Sequence, residues 1–355
     1  ASRPSYMMPK KRVGRGAAFN PPSAYERFHI EEFEETRDDD RPIPTEFFVD
    51  ASRTVLAKND SPDVPFTYSL NPYRGCEHGC IYCYARPSHQ YLGFSAGLDF
   101  ETKILVKPDA PRLLEEAFRK RSWKPQVVAL SGNTDPYQPA ERTLRLTRRC
   151  LEVFLKFRNP VSVITKNFLV TRDLDVLKEL SSLNLVHVFI SITSLNPRLI
   201  RVMEPRTSTP PLRLKAIEAL AQVGIPVGVN AAPIIPGLTD EELPSILKEA
   251  AARGATMAGT IVVRLPGPVR ELFVEWLHRE FPERAEKVLG RIRGVRRGKL
   301  SEAEFGRRMK GEGEYARALE RMFRLACQKY GLNREKIPLS TGCFLRSPEA
   351  QVEMF

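Results

Sequence analysis

Six short apolar runs, separated by segments with helical periodicity, are the feature that most limits the folds open to this chain. The runs are nearly continuous rather than alternating, which is typical of parallel strands buried on both faces. They lie at 66–70, 127–131, 161–165, 186–192, 225–235 and 260–264. The segments with apolar positions near a spacing of 3.6 lie at 143–157, 171–183, 211–224 and 240–254. This alternation predicts an α/β fold.

Repeated strand–helix units predict a parallel sheet with right-handed crossovers. About six units are too few for a complete eight-stranded barrel, and they fit an open, partial (β/α)6 barrel of the TIM type. A doubly wound sheet is the alternative architecture. In either fold, functional side chains collect at the carboxyl ends of the strands.

Four segments follow from the composition and the periodicity. Residues 1–60 are rich in Arg, Pro and short acidic runs, which predicts an extended N-terminal arm. Residues 61–265 carry the strand–helix units of the barrel, and residues 266–345 form a basic extension in which the whole of 302–331 is predicted to be helical. Residues 346–355 are a C-terminal tail.

The charge balance suggests a class of partner. The chain has 55 Lys and Arg residues against 43 Asp and Glu residues, a formal net charge of +12. Such an excess suits a polyanion, nucleic acid first, although a solvated basic surface would have the same composition. There is no apolar run of membrane-spanning length and no signal-peptide core near the first residue, so we expect a cytoplasmic protein with no membrane partner.

The sequence NPYRGCEHGCIYCYARP, residues 71–87, crowds three of the six cysteines into eight positions, directly after the first predicted strand. Three thiolates in one loop, Cys76, Cys80 and Cys83, are suited to a soft metal or an iron–sulfur cluster. A structural zinc site, completed by His78 or His89, is the alternative. Three cysteines alone would leave one metal position open, as a reactive centre requires.

The spacing Cys-x3-Cys-x2-Cys after the first strand of a partial barrel resembles the signature of the radical S-adenosylmethionine (SAM) superfamily. The resemblance implies that the three cysteines bind three irons of a [4Fe–4S] cluster and that SAM binds the fourth. It also implies reductive cleavage of SAM to a 5′-deoxyadenosyl radical, with flavodoxin or ferredoxin as reductant.

Further positions match segments that contact SAM in this superfamily. Tyr82 matches an aromatic residue that packs on the adenine, and APIIPGLTDEE resembles the loop on the adenine side. The segment SGNTDPYQPAE resembles the one that receives the SAM amino group, with Thr134 and Asp135 as its contacts. Lys166 and Ser191 match positions that bind the carboxylate and the ribose, and Arg206 is a second candidate for the carboxylate.

Within the superfamily, the cysteine loop, SGNTDPYQPAE, ITKN and EPR resemble the group related to spore photoproduct lyase. That lyase uses a cysteine as hydrogen donor, close to the segment matched here by 131–135. This chain has no cysteine there, and Asn133 occupies the corresponding stretch. The specific lyase reaction is therefore not implied. Tyr137 is a candidate for a radical relay, and packing within its loop is the alternative role. Cys150 and Cys327 are predicted to lie in the core, so no second cluster is expected.

The last five residues, QVEMF, resemble a peptide that binds bacterial sliding clamps. In such a peptide Gln351 would set the register, and Met354 and Phe355 would enter an apolar groove. A tail folded onto its own domain is the alternative.

Three functional hypotheses follow. The first is a radical SAM enzyme acting on nucleic acid, as a DNA lesion or a modified base. The second is a radical SAM enzyme acting on a peptide or a small metabolite. The third is a zinc-stapled protein that binds nucleic acid without catalysis.

Overall fold

The computed structural model describes residues 12, 14–23, 25 and 43–348. The predicted clamp-binding residues Gln351, Met354 and Phe355 lie outside these residues, as does much of the predicted arm.

The main sheet has seven strands and is open, as predicted for a partial barrel. Six neighbouring strands are parallel, and the seventh pairs antiparallel at the edge beside the first of them. From one edge to the other the strands are β10 (Met257–Val262), β9 (Val227–Ile234), β8 (Val186–Ser191), β7 (Val161–Thr165), β6 (Val128–Leu130), β3 (Tyr68–Leu70) and β2 (Leu56–Lys58). All six apolar runs therefore contribute a parallel strand.

The strands are not buried equally on both faces. In β7, Val161, Val163 and Thr165 are buried, whereas the residues between them are only partly buried. The continuous apolar runs had predicted full burial on both faces, which is wrong for this strand.

Helices follow the strands as the periodicity predicts. Two predicted helices are interrupted, because Arg145 has a left-handed backbone (φ 50°) and a 3₁₀ turn occupies Phe168–Asp173. Another 3₁₀ turn, Asp240–Glu242, precedes a later helix, and the helical segments at 211–224 and 240–254 end at Gly224 and Gly254, both with positive φ. The helices of this region are α1 (Leu98–Thr102), α2 (Ala110–Arg119), α3 (Glu141–Leu144), α4 (Leu146–Phe157), α5 (Leu174–Ser182), α6 (Pro197–Met203), α7 (Pro210–Gln222) and α8 (Leu243–Ala251).

A second, three-stranded sheet was not predicted. In it β5 (Lys103–Val106) lies between β1 (Glu46–Val49) and β4 (Tyr73–Arg74). Both β1 and β2 belong to the segment predicted as an extended arm. These strands are three or four residues long, too short for a clear periodic pattern.

The C-terminal part of the described chain contains α9 (Val269–Glu280), α10 (Pro282–Gly294) and α11 (Gly313–Tyr330). The prediction of a continuous helix over 302–331 is wrong for 302–312, which form turns with Gly306 and Gly311 at positive φ. Cys327 on α11 and Cys150 on α4 are both buried in the main core, as predicted.

The chain then returns to the first helices, where Arg346 donates to the carbonyls of Phe118 and Trp123. Across residues 12, 14–23, 25 and 43–348, no helix has the length and apolar character needed to cross a membrane.

Candidate active site

The cysteine loop lies between β4 and a 3₁₀ helix, Arg86–Leu92. Cys76 and Cys80 are buried, Cys83 is partly buried, and all three are free thiols. Gly79 has a φ of 65°, and a Cβ at this position would lie 2.7 Å from Oε2 of Glu101. A larger residue would therefore be strained in both backbone and space.

The donor set of the loop is chemically suited to an iron–sulfur cluster. Burial raises the pKa of all three thiols, and the carboxylates of Asp135 and Glu204 add to this effect at Cys76 and Cys80 respectively. Buried thiols of this kind become thiolates when a metal neutralises them. Three soft donors on one loop fit three irons of a cluster and leave one iron for another ligand.

The two histidines proposed as a fourth zinc ligand have other neighbours. Nδ1 of His78 lies 3.4 Å from Oδ2 of Asp135, and the ring of His89 stacks on Phe94 and meets Phe100 edge-on. Over the described residues, no group of three or more His, Cys, Asp or Glu side chains is arranged to hold a single metal ion.

A buried ion pair between Arg86 and Glu101 supports the backbone of the cysteine loop. Arg86 donates through Nε and Nη2 to the carbonyl of Cys80, at 3.0 and 2.9 Å, and through Nη1 to the carbonyl of Gly97. Its Nη2 also forms an ion pair with Glu101 at 2.5 Å, and neither side chain is exposed. The backbone of the second cysteine is therefore fixed by a residue three positions beyond the third.

The described part of the N-terminal arm packs on this support. The backbone N–H groups of Gly16 and Ala17 donate to the Glu101 carboxylate at 3.0 and 2.8 Å. A Cβ on Gly16 would lie only 1.9 Å from the carbonyl oxygen of Gly79. This close backbone approach joins residues far apart in sequence and covers one side of the cysteine loop.

Asp135 is held by the neighbouring strand. Its carboxylate accepts from Oγ1 of Thr165 at 2.6 Å and from the backbone N–H of Lys166 at 2.8 Å. Burial acts to raise the pKa of Asp135, but His78 and these donors outweigh it and lower the pKa to about 2. An ionised carboxylate thus lies close to Cys76.

The hydroxyl groups of Thr134 and Tyr137, the other two candidates in this segment, are both bonded within the protein. Oγ1 of Thr134 donates to the carbonyl of Tyr73 at 3.1 Å, so its hydroxyl fixes the loop. Tyr137 is fully buried, and its hydroxyl donates to Oδ2 of Asp173 at 3.0 Å. Tyr137 therefore packs in the main core rather than beside the cysteines.

Tyr82 joins a buried polar cluster around Glu204. Its hydroxyl donates to the Glu204 carboxylate, which also accepts from Thr193 at 2.7 Å and forms an ion pair with Arg213. Burial acts to raise the pKa of Glu204, whereas Arg213 and Lys166 lower it, with a net result of about 2. The ring of Tyr82 lies 5.9 Å from Nζ of Lys166.

The two cations proposed for the SAM carboxylate differ in their partners. Arg206 forms an ion pair with Glu77 at 3.2 Å and donates to Thr45. In the part of the chain that the structure describes, Nζ of Lys166 has no carboxylate within 4.0 Å. Ser191 is buried at the end of β8, and its carbonyl accepts from Arg213.

A model of the radical SAM superfamily matches residues 70–250, which are half of the chain and include the three cysteines. The chain belongs to the radical SAM superfamily. This is a superfamily of enzymes, and membership implies a [4Fe–4S] cluster and SAM as cofactors.

Relatives of this radical SAM protein include an uncharacterized protein of Mycobacterium tuberculosis strain H37Rv, which is 40% identical over 222 residues. That match covers 62% of this chain and 65% of the mycobacterial protein, just under two thirds of its length. An uncharacterized protein of Methanocaldococcus jannaschii is 31% identical over 175 residues, which are 49% of this chain and 63% of that protein.

Solved structures of spore photoproduct lyase share the fold. One complexed with dinucleoside spore photoproduct is 18% identical, with a TM-score of 0.56 over 81% of this chain and 80% of that one. At this level of identity the similarity concerns the fold.

The candidate site therefore combines predicted and unpredicted residues. The structure brings Asp135 near Cys76, and it brings Lys166 and Tyr82 near Cys80. It places Tyr137 in the main core, bonded to Asp173. Two buried ion pairs, Arg86–Glu101 and Arg213–Glu204, were not predicted. Their only local signal is that Arg86 lies in the motif CYARP with Cys83, and that Glu204 lies in the motif EPR with Arg206.

Proposed function

We propose that Cys76, Cys80 and Cys83 bind a [4Fe–4S] cluster, and that the enzyme cleaves SAM reductively and acts on nucleic acid, as a DNA lesion or a modified base. The observation that carries the proposal is three free thiols on one supported loop, which follows the first of six parallel strands and the short strand β4. When bound, the cluster and SAM together supply a 5′-deoxyadenosyl radical that abstracts hydrogen from the substrate.

The residues of the chain would bind and orient these groups. Arg86 holds the backbone of the loop, and burial of the thiols excludes water from it. For the SAM carboxylate we favour Lys166 over Arg206, because Arg206 already has an anionic partner in Glu77. Asp135 is ionised, so its carboxylate is the natural acceptor for the SAM amino group. The amino group would donate to the same carboxylate that accepts from the backbone N–H of Lys166.

The other SAM contacts stay proposals with narrower roles. Tyr82 would support the adenine side through its ring, since its hydroxyl is bonded to Glu204. Ser191 would contribute to the ribose side, and Thr134 would act by shaping the loop that carries Asp135. Tyr137, bonded to Asp173, is the least suited of the candidates to meet a substrate.

Two observations support nucleic acid as the substrate class. The net charge is +12, and a fold neighbour, spore photoproduct lyase, has been solved with a dinucleoside lesion. Because this chain has no cysteine in the stretch around Asn133 that corresponds to the lyase's hydrogen-donor region, we propose a different use of the radical here. A peptide or small-metabolite substrate is the alternative, and steep salt dependence of DNA binding would separate the two.

Two partners are proposed from the sequence. A flavodoxin or ferredoxin would supply the electron, and a sliding clamp would bind the C-terminal residues Gln351, Met354 and Phe355. A pull-down with the clamp should lose its signal for Phe355→Ala, and equal capture of both forms would exclude that role of the tail.

The test of the proposed function is anaerobic reconstitution, followed by iron and sulfide analysis and an assay of 5′-deoxyadenosine with dithionite and SAM. About four irons per chain together with 5′-deoxyadenosine are the expected result. Stoichiometric zinc without SAM turnover would contradict the proposal and favour a structural metal site.

A further inference from the structure

A cavity of about 420 Å³ lies beside the carboxyl end of β10, outside the cysteine loop. Its walls come from two regions, the segment after β10 and the turns between α10 and α11. The charged residues that line it are Arg264, Lys299, Glu302 and Arg308. Three of these four side chains are cationic.

The cations of this cavity have few anionic partners. Arg308 is paired with Asp63. Arg264 donates to Sδ of Met309, and within the described residues neither Arg264 nor Lys299 has a carboxylate within 4.0 Å. The carboxylate of Glu302 accepts from the backbone N–H groups of 303 and 304. It also lies near Lys299, but among the described residues it forms no ion pair within 4.0 Å.

A fourth cation lies behind the cavity. Arg296 is buried and donates to the carbonyls of Val262, Val263 and Arg307, while its Nε has no hydrogen-bond partner among the described residues. Burial, together with the neighbouring Arg264, lowers the pKa of Arg296 to about 10. Glu302 opposes this shift only in part, and Arg296 has no carboxylate within 4.0 Å among the described residues. A buried charge without an ion-pair partner is costly, and an anion in the cavity would offset that cost.

Aromatic side chains accompany these cations. The guanidinium of Arg264 lies 5.1 Å from the ring centre of Tyr84, and that of Arg308 lies 4.4 Å from the ring centre of Phe305. Both rings are about half exposed, at 48% and 53%. Aromatic and guanidinium faces of this kind stack on nucleobases, whereas a free phosphate has no planar ring that could stack on them.

The cavity is connected to the cysteine loop through Tyr84. This residue follows Cys83 directly, and its hydroxyl donates to the carbonyl of Gly132 in the loop that carries Asp135. A ligand bound by Arg264 would therefore lie next to the residue adjoining the third cysteine.

We propose that this cavity binds a backbone phosphate of a nucleic acid strand through Arg264, Lys299 and Arg308, with a neighbouring base stacked on Tyr84 or Phe305. This inference rests on the proposed nucleic-acid substrate and adds where the strand is held. Guanidinium groups bind phosphate in a bidentate manner, and the ammonium of Lys299 adds a point charge.

The experiment measures binding of a fluorescent single-stranded oligonucleotide of about twelve residues to the reconstituted full chain by anisotropy, across roughly 50–200 mM salt. Lys299→Gln and Arg264→Gln should each weaken binding about tenfold. Each should also reduce the slope of log K against log salt by about 0.7. Lys299 is exposed, so its variant does not depend on tolerance of a core change, and Lys299→Arg should restore affinity.

Arg324→Gln and Lys329→Gln are matched controls, because they remove the same charge from exposed positions on α11. They should change affinity less than twofold. If the controls weaken binding as much as the cavity variants do, the cavity is not the site, while the proposed function stands.

Two other results would overturn the proposal for different reasons. If the oligonucleotide does not bind while 5′-deoxyadenosine still forms, the nucleic-acid part of the proposed function fails together with this inference. If a nucleoside monophosphate competes as strongly as the oligonucleotide, and the cavity variants lose both, the ligand is a small phosphorylated molecule.

Discussion

The cysteine loop and the cavity beside β10 differ in how many of their cationic side chains are paired with carboxylates. Around the loop, the two fully buried arginines are neutralised within the chain, in the ion pairs Arg86–Glu101 and Arg213–Glu204. Around the cavity, cations outnumber the carboxylates that reach them. The first arrangement makes a rigid support that is complete without substrate, and the second leaves positive potential for an incoming anion. We therefore expect changes at the loop to affect chemistry and stability, and changes at the cavity to affect binding.

The largest expected effect is on catalysis. Replacing Cys80 by Ala should reduce 5′-deoxyadenosine formation to background and lower the iron content after reconstitution, because a cluster ligand is lost. The matched control is Cys343→Ala, which removes a partly buried thiol that packs near Ser340. Full activity of the Cys80 variant would contradict the cluster assignment.

The next effect is on stability. Glu204→Gln should lower the free energy of unfolding by about 3 kcal/mol, because Arg213 would keep a buried charge without its counter-ion. Urea denaturation of the cluster-free protein measures the change. The control is Arg112→Gln, whose ion pairs are exposed and contribute at most about 1 kcal/mol. Equal changes for both variants would show that the Glu204 cluster is not neutralised internally.

A smaller effect is expected from pH. His89 is buried near Phe94 and Phe100, and burial lowers its pKa to about 4. The unfolded chain binds this proton at about pH 6.5, so stability falls as the pH drops from there toward the folded value. The cluster-free protein should lose about 2 kcal/mol from this group between about pH 7.5 and 5.

The variant His89→Phe should remove that part of the pH dependence, whereas His278→Gln, at a partly exposed position, should leave it in place. An unchanged pH profile for His89→Phe would assign the loss to other groups.

The smallest expected effect is that of a cavity variant on stability, and it distinguishes the cavity from the cysteine loop. Lys299→Gln should change the free energy of unfolding by no more than about 0.5 kcal/mol, because this exposed ammonium has no ion pair among the described residues. A larger loss would mean that the cavity, like the cysteine loop, is part of the structural support.

Much of the fold could be predicted because its signals are local. Each of the six apolar runs overlaps a parallel strand, and Gly224 and Gly254, both with positive φ, lie in the turns that follow α7 and α8. The sheet of β1, β4 and β5 escaped prediction because its strands are at most four residues long. The prediction of a helix over 302–312 was wrong. The basic residues of this segment are compatible with a helix, but Gly306 and Gly311 adopt positive φ and interrupt it.

The candidate site could be predicted only in part. The spacing of Cys76, Cys80 and Cys83 marked the loop, and the family match includes it. The partners of Arg206 and the burial of Tyr137 could not be foreseen, since Glu77 and Asp173 come from other parts of the chain.

By itself, the sequence determined the order of strands and helices and the placement of three thiols after the first strand, because periodicity and spacing are properties of neighbouring residues. Only the tertiary structure decided which charges meet. Arg213 reaches Glu204 and Arg86 reaches Glu101, so those charges are buried in pairs. Arg264 and Lys299 come together from segments 35 positions apart and face a cavity. Pairing depends on contacts across the fold, and no local pattern records which cations find a carboxylate and which are left for a ligand.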